Sequence, residues 1–171
     1  MRIYTRLAQP DETMLDEIAA YKREMEASGS SMDGCGSLSR HTPEQWLENC
    51  RLIGREETCP DGWVPATQYV LLSGEGRILG MIDLRRRFNA YLAEIGGHIG
   101  YSVRPSERRK GYAVRMLQLV LDEAKRIGLN RVLVTCDADN EASRRTIERC
   151  GGVFERMTQD DGVQIRRYWI E

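Results

Sequence analysis

Residues 100–113 contain the side chains whose types and spacing point most directly to chemistry. An apolar run stops at Pro105, a basic turn follows, and small residues stand at Gly111 and Ala113. A helix beginning at Gly111 would direct its unpaired N–H groups, and the positive end of its dipole, toward that turn. The segment therefore predicts a binding site for a pyrophosphate group, with charge-assisted bonds from the three basic side chains of the turn. These are Arg108, Arg109 and Lys110.

Two common phosphate-binding patterns are absent from this segment. It contains neither the dinucleotide pattern GxGxxG nor the pattern GxxxxGK followed by Ser or Thr. The alternative reading of a solvated basic turn without a ligand therefore stays open at this point.

The elements that must position the turn can be predicted from hydrophobic periodicity and turn residues. Predicted strands cover residues 3–7, 68–73, 77–87, 91–103, 131–136, 153–157 and 164–170. Predicted helices cover residues 10–27, 42–54, 111–127 and 140–151. Three glycines, at positions 96, 97 and 100, interrupt the strand 91–103 and indicate a bulge or a close approach by another group. No repeat or linker divides the chain, so residues 1–171 are predicted to form a single domain.

Composition and charge exclude several classes of protein. The chain has 171 residues and a net charge of −1, which argues against a dedicated nucleic-acid or membrane-surface protein. Residues 1–84 carry 8 basic and 14 acidic side chains, and residues 85–171 carry 17 basic and 12 acidic ones. A basic second half suits a small polyanion, although solvated charged faces would give the same count.

Other features of the sequence bear on compartment and on metals. No apolar run reaches the length of a membrane span, and residues 1–6 lack the apolar stretch of a secretory signal. The five cysteines form no CxxC pair, and neither histidine has ligand spacing to a cysteine. We therefore expect a cytoplasmic protein with reduced thiols and no metal site.

Two motifs at matching separation resemble the GNAT N-acetyltransferase superfamily. Arg108-x-x-Gly111-x-Ala113, placed after a strand, is similar to that family's acyl-CoA-binding motif. The family's next signature is a strand leading to an Asn that opens a helix, which a Gly closes eleven residues later. Asn140 and Gly151 match it. The resemblance extends from about residue 68 to residue 154.

This resemblance implies a mixed α/β (α+β) domain with a central, mostly antiparallel sheet and about four flanking helices. Its middle strands, here 91–103 and 131–136, splay apart to admit the pantetheine arm of acetyl-CoA. Backbone groups of Ser102 and Val103 would pair with that arm, and Asn140 would lie near the thiol. Amides of the basic turn and the helix start would hold the pyrophosphate. The implied cofactor-binding residues are Ser102, Val103, Arg108, Arg109, Lys110, Gly111, Tyr112, Ala113 and Asn140.

The implied reaction is direct attack of an amine on the thioester carbonyl, with a backbone N–H, that of Val103, as oxyanion donor. The sequence departs from the family at Ile147, where many members carry a Tyr that protonates the thiolate. Tyr101 and Tyr168 are alternative proton donors, or the thiolate leaves unassisted. Asn140 is expected to serve as a helix cap, a catalytic contact, or both.

His98 is the first candidate for general base, since its ordinary pKa suits that task. Glu94 is the second candidate, and a chain of water molecules is the third. For each side chain the alternative is structural: a satisfied sheet residue for His98 and a solvated carboxylate for Glu94.

Two functional hypotheses follow from this resemblance. The first is an acetyl-CoA-dependent N-acetyltransferase acting on a small-molecule amine, with residues 28–42 as a flexible loop that covers the acceptor site. The acidic first half would favour a cationic acceptor such as a polyamine, an aminoglycoside or a basic amino acid. The second is a non-catalytic acyl-CoA-binding or regulatory module, which the change at Ile147 favours. We also expect that the terminal strand forms a sheet edge, at which a homodimer could pair.

Overall fold

The computed structural model describes residues 3–171, which form seven strands and four α-helices. The strands are β1 (Thr5–Ala8), β2 (Ala66–Ser73), β3 (Ile78–Arg85), β4 (Ile99–Val103), β5 (Val132–Asp137), β6 (Val153–Asp160) and β7 (Val163–Ile170). The helices are α1 (Leu15–Ala27), α2 (Pro43–Ile53), α3 (Tyr112–Arg126) and α4 (Glu141–Arg149). Within these residues no helix is both long enough and apolar enough to cross a membrane.

The strands form two antiparallel sheets. The first has the order β1-β2-β3-β4 and the second the order β5-β7-β6. The mixed α/β architecture is thus confirmed, with the sheet divided between β4 and β5. The terminal strand β7 lies between β5 and β6, so the expectation that it forms a sheet edge is wrong; β6 is the edge strand.

The two sheets meet through hydrogen bonds between His98 and Leu133. The His98 N–H donates to the Leu133 carbonyl at 2.8 Å, and the Leu133 N–H donates to His98 Nδ1 at 2.9 Å. The His98 carbonyl instead accepts from the Arg85 N–H on β3 at 2.7 Å. The imidazole nitrogen thus accepts the hydrogen bond from Leu133 that a strand carbonyl would normally accept, and β4 and β5 join at this point. Beyond it, β4 pairs only with β3, and β5 pairs only with β7.

Two hydrophobic clusters hold the helices on the sheets. Below α3 and α4, one cluster includes Met116, Leu117, Val120 and Ile147, all fully buried. On the opposite side, a second cluster joins α1 and α2 to β2 and β3 around Trp46. The stripe of apolar residues predicted for the helix 111–127 is therefore the face that packs on β3 and β4.

The prediction of a strand over residues 91–103 is wrong for the first half of that segment. Leu92–Gly96 forms a π-helical turn, and only Ile99–Val103 is strand. Gly97 has a φ of 66°, and a Cβ there would lie 2.6 Å from the Leu133 carbonyl oxygen. The guanidinium of Arg167 on β7 donates at 2.7 Å to the carbonyls of Ala93 and Glu94. The turn is thus stabilised by contacts with the second sheet. Such long-range contacts cannot be predicted from the local periodicity of the sequence.

The loop of residues 28–42 packs on the core through part of its length, and its flexibility and its role as a cover of the acceptor site stay predictions. Cys35 and Leu38 are fully buried in the second cluster. Trp46 Nε1 donates to the Cys35 carbonyl and Gln68 Nε2 to the Gly34 carbonyl, each at 2.7 Å. Gly34 allows the loop to lie directly on β4, because a Cβ there would meet the Gly100 carbonyl oxygen.

Candidate active site

The turn between β4 and α3 presents its backbone amides without protein acceptors. Within residues 3–171, the N–H groups of residues 109–113 donate to no carbonyl or side chain, whereas the Arg108 N–H makes a long 3.4 Å contact with Pro105. Arg109 and Gly111 have positive φ values of 64° and 85°. Consecutive peptide groups in such conformations form a concave anion-binding site at the helix N-terminus. A Cβ at Gly111 would meet nothing within 4 Å, so its open side faces away from protein atoms.

Ion pairs to the buried Arg104 fix the start of this turn on α1. The guanidinium of Arg104, which is 4% exposed, bonds Glu24 at 2.6 Å and Glu17 at 3.0 Å. The Ser106 N–H donates to the other oxygen of Glu24 at 2.7 Å. Burial opposes ionisation of Glu24, but the bonds from Ser106 and Arg104 prevail and lower its pKa to about 2. The anchor therefore stays charged across the physiological range.

The three basic side chains of the turn have different partners. Lys110 bonds Glu107 at 2.8 Å. Arg108 donates to the Val103 carbonyl at 3.2 Å and to Ser30 Oγ at 2.9 Å. Arg109 forms no ion pair with any described residue. Only Arg109 thus has a guanidinium ready for a further anion without exchanging a partner.

The backbone groups of β4 point alternately toward β3 and toward the gap, which corrects the prediction that the backbone of Ser102 faces the cofactor arm. The Arg104 N–H donates to Leu79, and the His98 carbonyl accepts from Arg85, so even-numbered residues pair with β3. The backbone groups of Tyr101 and Val103 therefore point toward β5 and the gap. Ser102 points its backbone to β3, and its hydroxyl bonds the buried Tyr21 hydroxyl at 2.8 Å. Tyr101 replaces Ser102 as a strand-edge partner, whereas Val103 keeps that role through its N–H, since Arg108 bonds its carbonyl.

A cleft of about 1100 Å³ follows this open edge from the turn to the splay point. Its walls include β4, the end of β5, the N-terminus of α4 and the loop of residues 28–42. The predicted site residues among its lining are Ser102, Val103, Arg108, Arg109, Gly111, Tyr112, Ala113 and Asn140. The structure thus brings the predicted binding residues together, with Lys110 beside them in the same turn.

Asn140 caps α4, and Tyr101 reaches the same helix end. Asn140 Oδ1 accepts from the Ser143 N–H at 3.1 Å, and both residues line the cleft. The Tyr101 hydroxyl bonds Ser143 Oγ at 2.6 Å. Burial raises the pKa of Tyr101, so this hydroxyl keeps its proton. Ile147 is fully buried in the core, where it fills the space against Gly152.

His98 is placed as a structural residue, which corrects its assignment as general base. Its side chain is buried, does not line the cleft and lies with its ring 4.0 Å from that of Phe88. Its Nδ1 is already an acceptor, so the proton of the neutral ring is on Nε2. Burial, followed by the charge of Arg85, lowers the pKa of His98 to about 4.

Glu94 is likewise placed outside the cleft lining, in an ion pair. Arg156 bonds both of its carboxylate oxygens, at 2.9 and 2.8 Å, and Thr158 bonds one of them at 2.6 Å. The bonds from Arg156 and then Thr158 lower the pKa of Glu94 to about 2. A carboxylate with this pKa and these partners is a poor proton acceptor at neutral pH, which corrects its assignment as second base.

A second cavity, which the sequence did not indicate, opens beside the cleft. It has a volume of about 480 Å³ and lies against α2 and the ends of β2 and β3. The residues shared by both cavities are Asp33, Gly34, Arg85, Tyr91 and Leu92. Its other walls include Trp46 and Trp63. In the sequence, only the glycines at positions 34 and 36 indicate that the loop lining this cavity packs closely on other elements.

Three carboxylates line the cleft around this junction. They are Asp33, Asp137 and Asp160. Among the described residues none of them lies within 4.0 Å of an Arg or Lys nitrogen. Burial, and then the charges of Asp139 and Asp33, raise the pKa of Asp137. The basic turn thus lies at one end of the cleft, whereas these three carboxylates lie toward the second cavity, where Arg85 also lines the wall.

Comparisons with known proteins agree with this architecture. The sequence model of the acetyltransferase (GNAT) domain matches residues 4–153. The uncharacterized N-acetyltransferase YjdG of Bacillus subtilis (strain 168) is 30% identical over 73 residues, 42% of this chain and 40% of that protein. This match therefore spans less than half the length of that relative.

Solved structures share the fold over almost the whole chain. A ribosomal-protein-S5-alanine acetyltransferase from Vibrio fischeri has a TM-score of 0.75 at 18% identity, covering 99% of this chain and 94% of that one. RimL, a ribosomal L7/L12 alpha-N-protein acetyltransferase solved with coenzyme A, has a TM-score of 0.72 at 16% identity, with coverage of 97% and 93%.

Proposed function

Because the chain belongs to the GNAT acetyltransferase family, we propose that it transfers the acetyl group of acetyl-CoA to a primary amine. The observation that carries this proposal is the row of free amides at residues 109–113, placed at one end of a cleft whose wall is the open edge of β4. The free amides can bind a pyrophosphate, and the open strand edge can pair with an extended arm that contains amide groups. Acetyl-CoA, the acyl donor of this family, contains both groups.

Acetyl-CoA supplies the acetyl group as a thioester, and residues of this chain orient it. The amides of residues 109–113 and the guanidinium of Arg109 bind the diphosphate. Since strand residues rise about 3.3 Å each, Tyr101 lies farther from this turn than Val103. The N–H of Tyr101 is therefore the better placed donor to the thioester oxygen, and Val103 binds the arm.

The proton steps use different groups from those first expected. Neither His98 nor Glu94 accepts the ammonium proton, so water in the cleft receives it. The Tyr101 hydroxyl, with Ser143 beside it, donates a hydrogen bond to the departing sulfur. Thiols have a pKa of about 8.5, so a hydrogen bond suffices where a stronger acid is absent.

The acidic end of the cleft supports a small cationic amine as acceptor. Asp33, Asp137 and Asp160 give this end a negative field that attracts an ammonium group. Relatives such as RimL are named for the N-termini of ribosomal proteins, so a peptide N-terminus is the competing acceptor.

The test is release of CoA from acetyl-CoA with a panel of amines: spermidine, kanamycin, lysine, phenethylamine and a Ser-Ala-Ala peptide. Wild-type protein is expected to release CoA with at least one small amine. Gly111→Glu places a carboxylate beside the bound diphosphate; at about 6 Å and an effective dielectric of about 20 the repulsion is about 3 kcal/mol, or about a hundredfold in affinity.

Gly128→Glu is the matched control, since Gly128 has a φ of 88° and also has nothing within 4 Å of a Cβ. It lies at the other end of α3, and the variant should bind acetyl-CoA like wild type. Tight CoA binding without turnover on any amine or peptide would favour the non-catalytic module instead.

A further inference from the structure

We propose that Asp33 binds the ammonium group of the acceptor and that the second cavity holds an aromatic body attached to it. This inference rests on the proposed function, because it names the acceptor class of the same site. The acceptor would be a compact arylalkylamine rather than a polyamine or a peptide N-terminus.

Asp33 occupies the junction between the donor and acceptor spaces. It lines both the cleft along β4 and the second cavity beside it. Within residues 3–171 its carboxylate receives one bond, from Ser31 Oγ at 2.5 Å, and no ion pair. The amine bound there would stand at the entrance to the cleft where the thioester is expected, and water in the cleft would take its ammonium proton before the neutral nitrogen attacks.

The loop holds Asp33 in place through its neighbours. A Cβ on Gly34, which has a φ of 73°, would lie 2.3 Å from the Gly100 carbonyl oxygen, so the loop rests directly on β4. Gln68 and Trp46 bond the next two carbonyls at 2.7 Å. The backbone at Asp33 is therefore held against β4, while its exposed carboxylate is bonded by Ser31 and is accessible to a ligand.

The charges around the second cavity leave Asp33 as its available anion. Asp83 is paired with Arg85 at 3.3 Å, and the Arg85 guanidinium also bonds the Gly96 carbonyl at 2.8 Å. Arg40 also lines this cavity and would repel a second ammonium group. Asp137 and Asp160 line the cleft but not the second cavity. A polyamine extending into the cavity would bring further charges against walls that offer them no free carboxylate.

The walls of the cavity favour an aromatic body. Trp63 and Tyr91 are each 56% exposed, which is unusual for such large side chains, and Trp46 is buried with its Nε1 already bonded. The apolar side chains of Ile53 and Leu92 add to this surface. A volume of about 480 Å³ falls in the range of pockets for small ligands. Aromatic surfaces around a bound ammonium also favour it through cation–π attraction.

The test compares steady-state kinetics of acetyl transfer to phenethylamine, spermidine and a Ser-Ala-Ala peptide. Wild-type protein should use phenethylamine with the highest kcat/KM. Asp33→Asn should raise the KM for phenethylamine about tenfold, as loss of a charge-assisted bond requires, and leave the KM for acetyl-CoA unchanged. Asp33→Glu should recover part of this loss. Asp122→Asn on the exposed side of α3 removes the same charge and should change nothing.

A second variant tests the cavity separately. Trp63→Ala should raise the KM for phenethylamine several-fold, leave that for methylamine unchanged, and be rescued by Trp63→Phe. Preference for spermidine or the peptide, or equal kinetics for Asp33→Asn and Asp122→Asn, would overturn this inference while the acetyltransferase activity stands. Absence of turnover with every amine would overturn the proposed function, and this inference with it.

Discussion

Tyr101 takes part in the cleft through two separate groups. Its backbone N–H faces the gap between β4 and β5, and its hydroxyl bonds Ser143 at the N-terminus of α4. Sequence motifs identified the neighbouring Val103 and Asn140, but the alternation of the strand determines which amide faces the cleft. Ile147, the departure from the family pattern, is a core residue here, so the hydroxyl must come from another position.

Tyr101→Phe removes the hydroxyl and keeps the backbone and most of the packing. We expect kcat to fall about tenfold, the cost of one hydrogen bond to the departing sulfur, with the KM for acetyl-CoA nearly unchanged. Tyr168→Phe is the control, because the Tyr168 hydroxyl lies 3.4 Å from Glu148 and outside the cleft lining. Equal loss in both variants would mean that Tyr101 acts only through packing.

His98 makes stability depend on pH. Its folded pKa of about 4 lies below the unfolded value of about 6.5, so the unfolded chain binds a proton first as the pH falls. Stability is therefore complete above about pH 6.5 and declines toward pH 4, by at most about 2 kcal/mol between pH 7 and pH 5. His98→Asn keeps an acceptor for the Leu133 N–H and removes the titration.

Urea unfolding at pH 7 and pH 5 measures this difference. The free energy of unfolding of wild type should fall by more than that of His98→Asn, because all other titrating groups are common to both. Identical changes would show that His98 is not the buried neutral group described. A pH–rate profile that loses a step near neutrality in His98→Asn would restore His98 as the base.

At the scale of elements, local sequence signals explain the helices and fail for two irregular segments. The helices predicted over residues 42–54 and 111–127 occur within one residue of those bounds, because the capping box of α2 and the apolar stripe of α3 are local. The π-helical turn at Leu92–Gly96 depends on Arg167, more than 70 residues away in the chain. The loop of residues 28–42 is held by hydrogen bonds from Trp46 and Gln68. The Ser and Gly content of the loop does not predict these bonds.

Gly34→Ala tests whether this loop is held against β4. The new Cβ would collide with the Gly100 carbonyl oxygen, so we expect a loss of unfolding free energy of about 3 kcal/mol or more. Gly29→Ala in the same loop also has a positive φ, 64°, but meets nothing within 4 Å, and should lose only about 1 kcal/mol. Equal losses, measured by urea unfolding, would show that the loop does not rest on the strand.

The whole molecule is two sheets that join at one pair of residues and separate toward the turn before α3. Residues 32–92 supply all the walls of the second cavity, whereas the basic turn comes from the second half of the chain. The sequence predicted the basic turn and the two motifs, since both are local. It did not predict Asp33, Trp63 or the second cavity, because their proximity depends on how the loop crosses β4.

The central claim is that the amides of residues 109–113 bind the diphosphate while the edge of β4 binds the arm. Backbone amide NMR during titration with CoA measures this directly. The account predicts large shifts at the Lys110, Gly111, Tyr112 and Ala113 amides, at Tyr101 and at Val103, with little change at Ser102. Saturable binding that leaves the turn unshifted and perturbs another surface would contradict it.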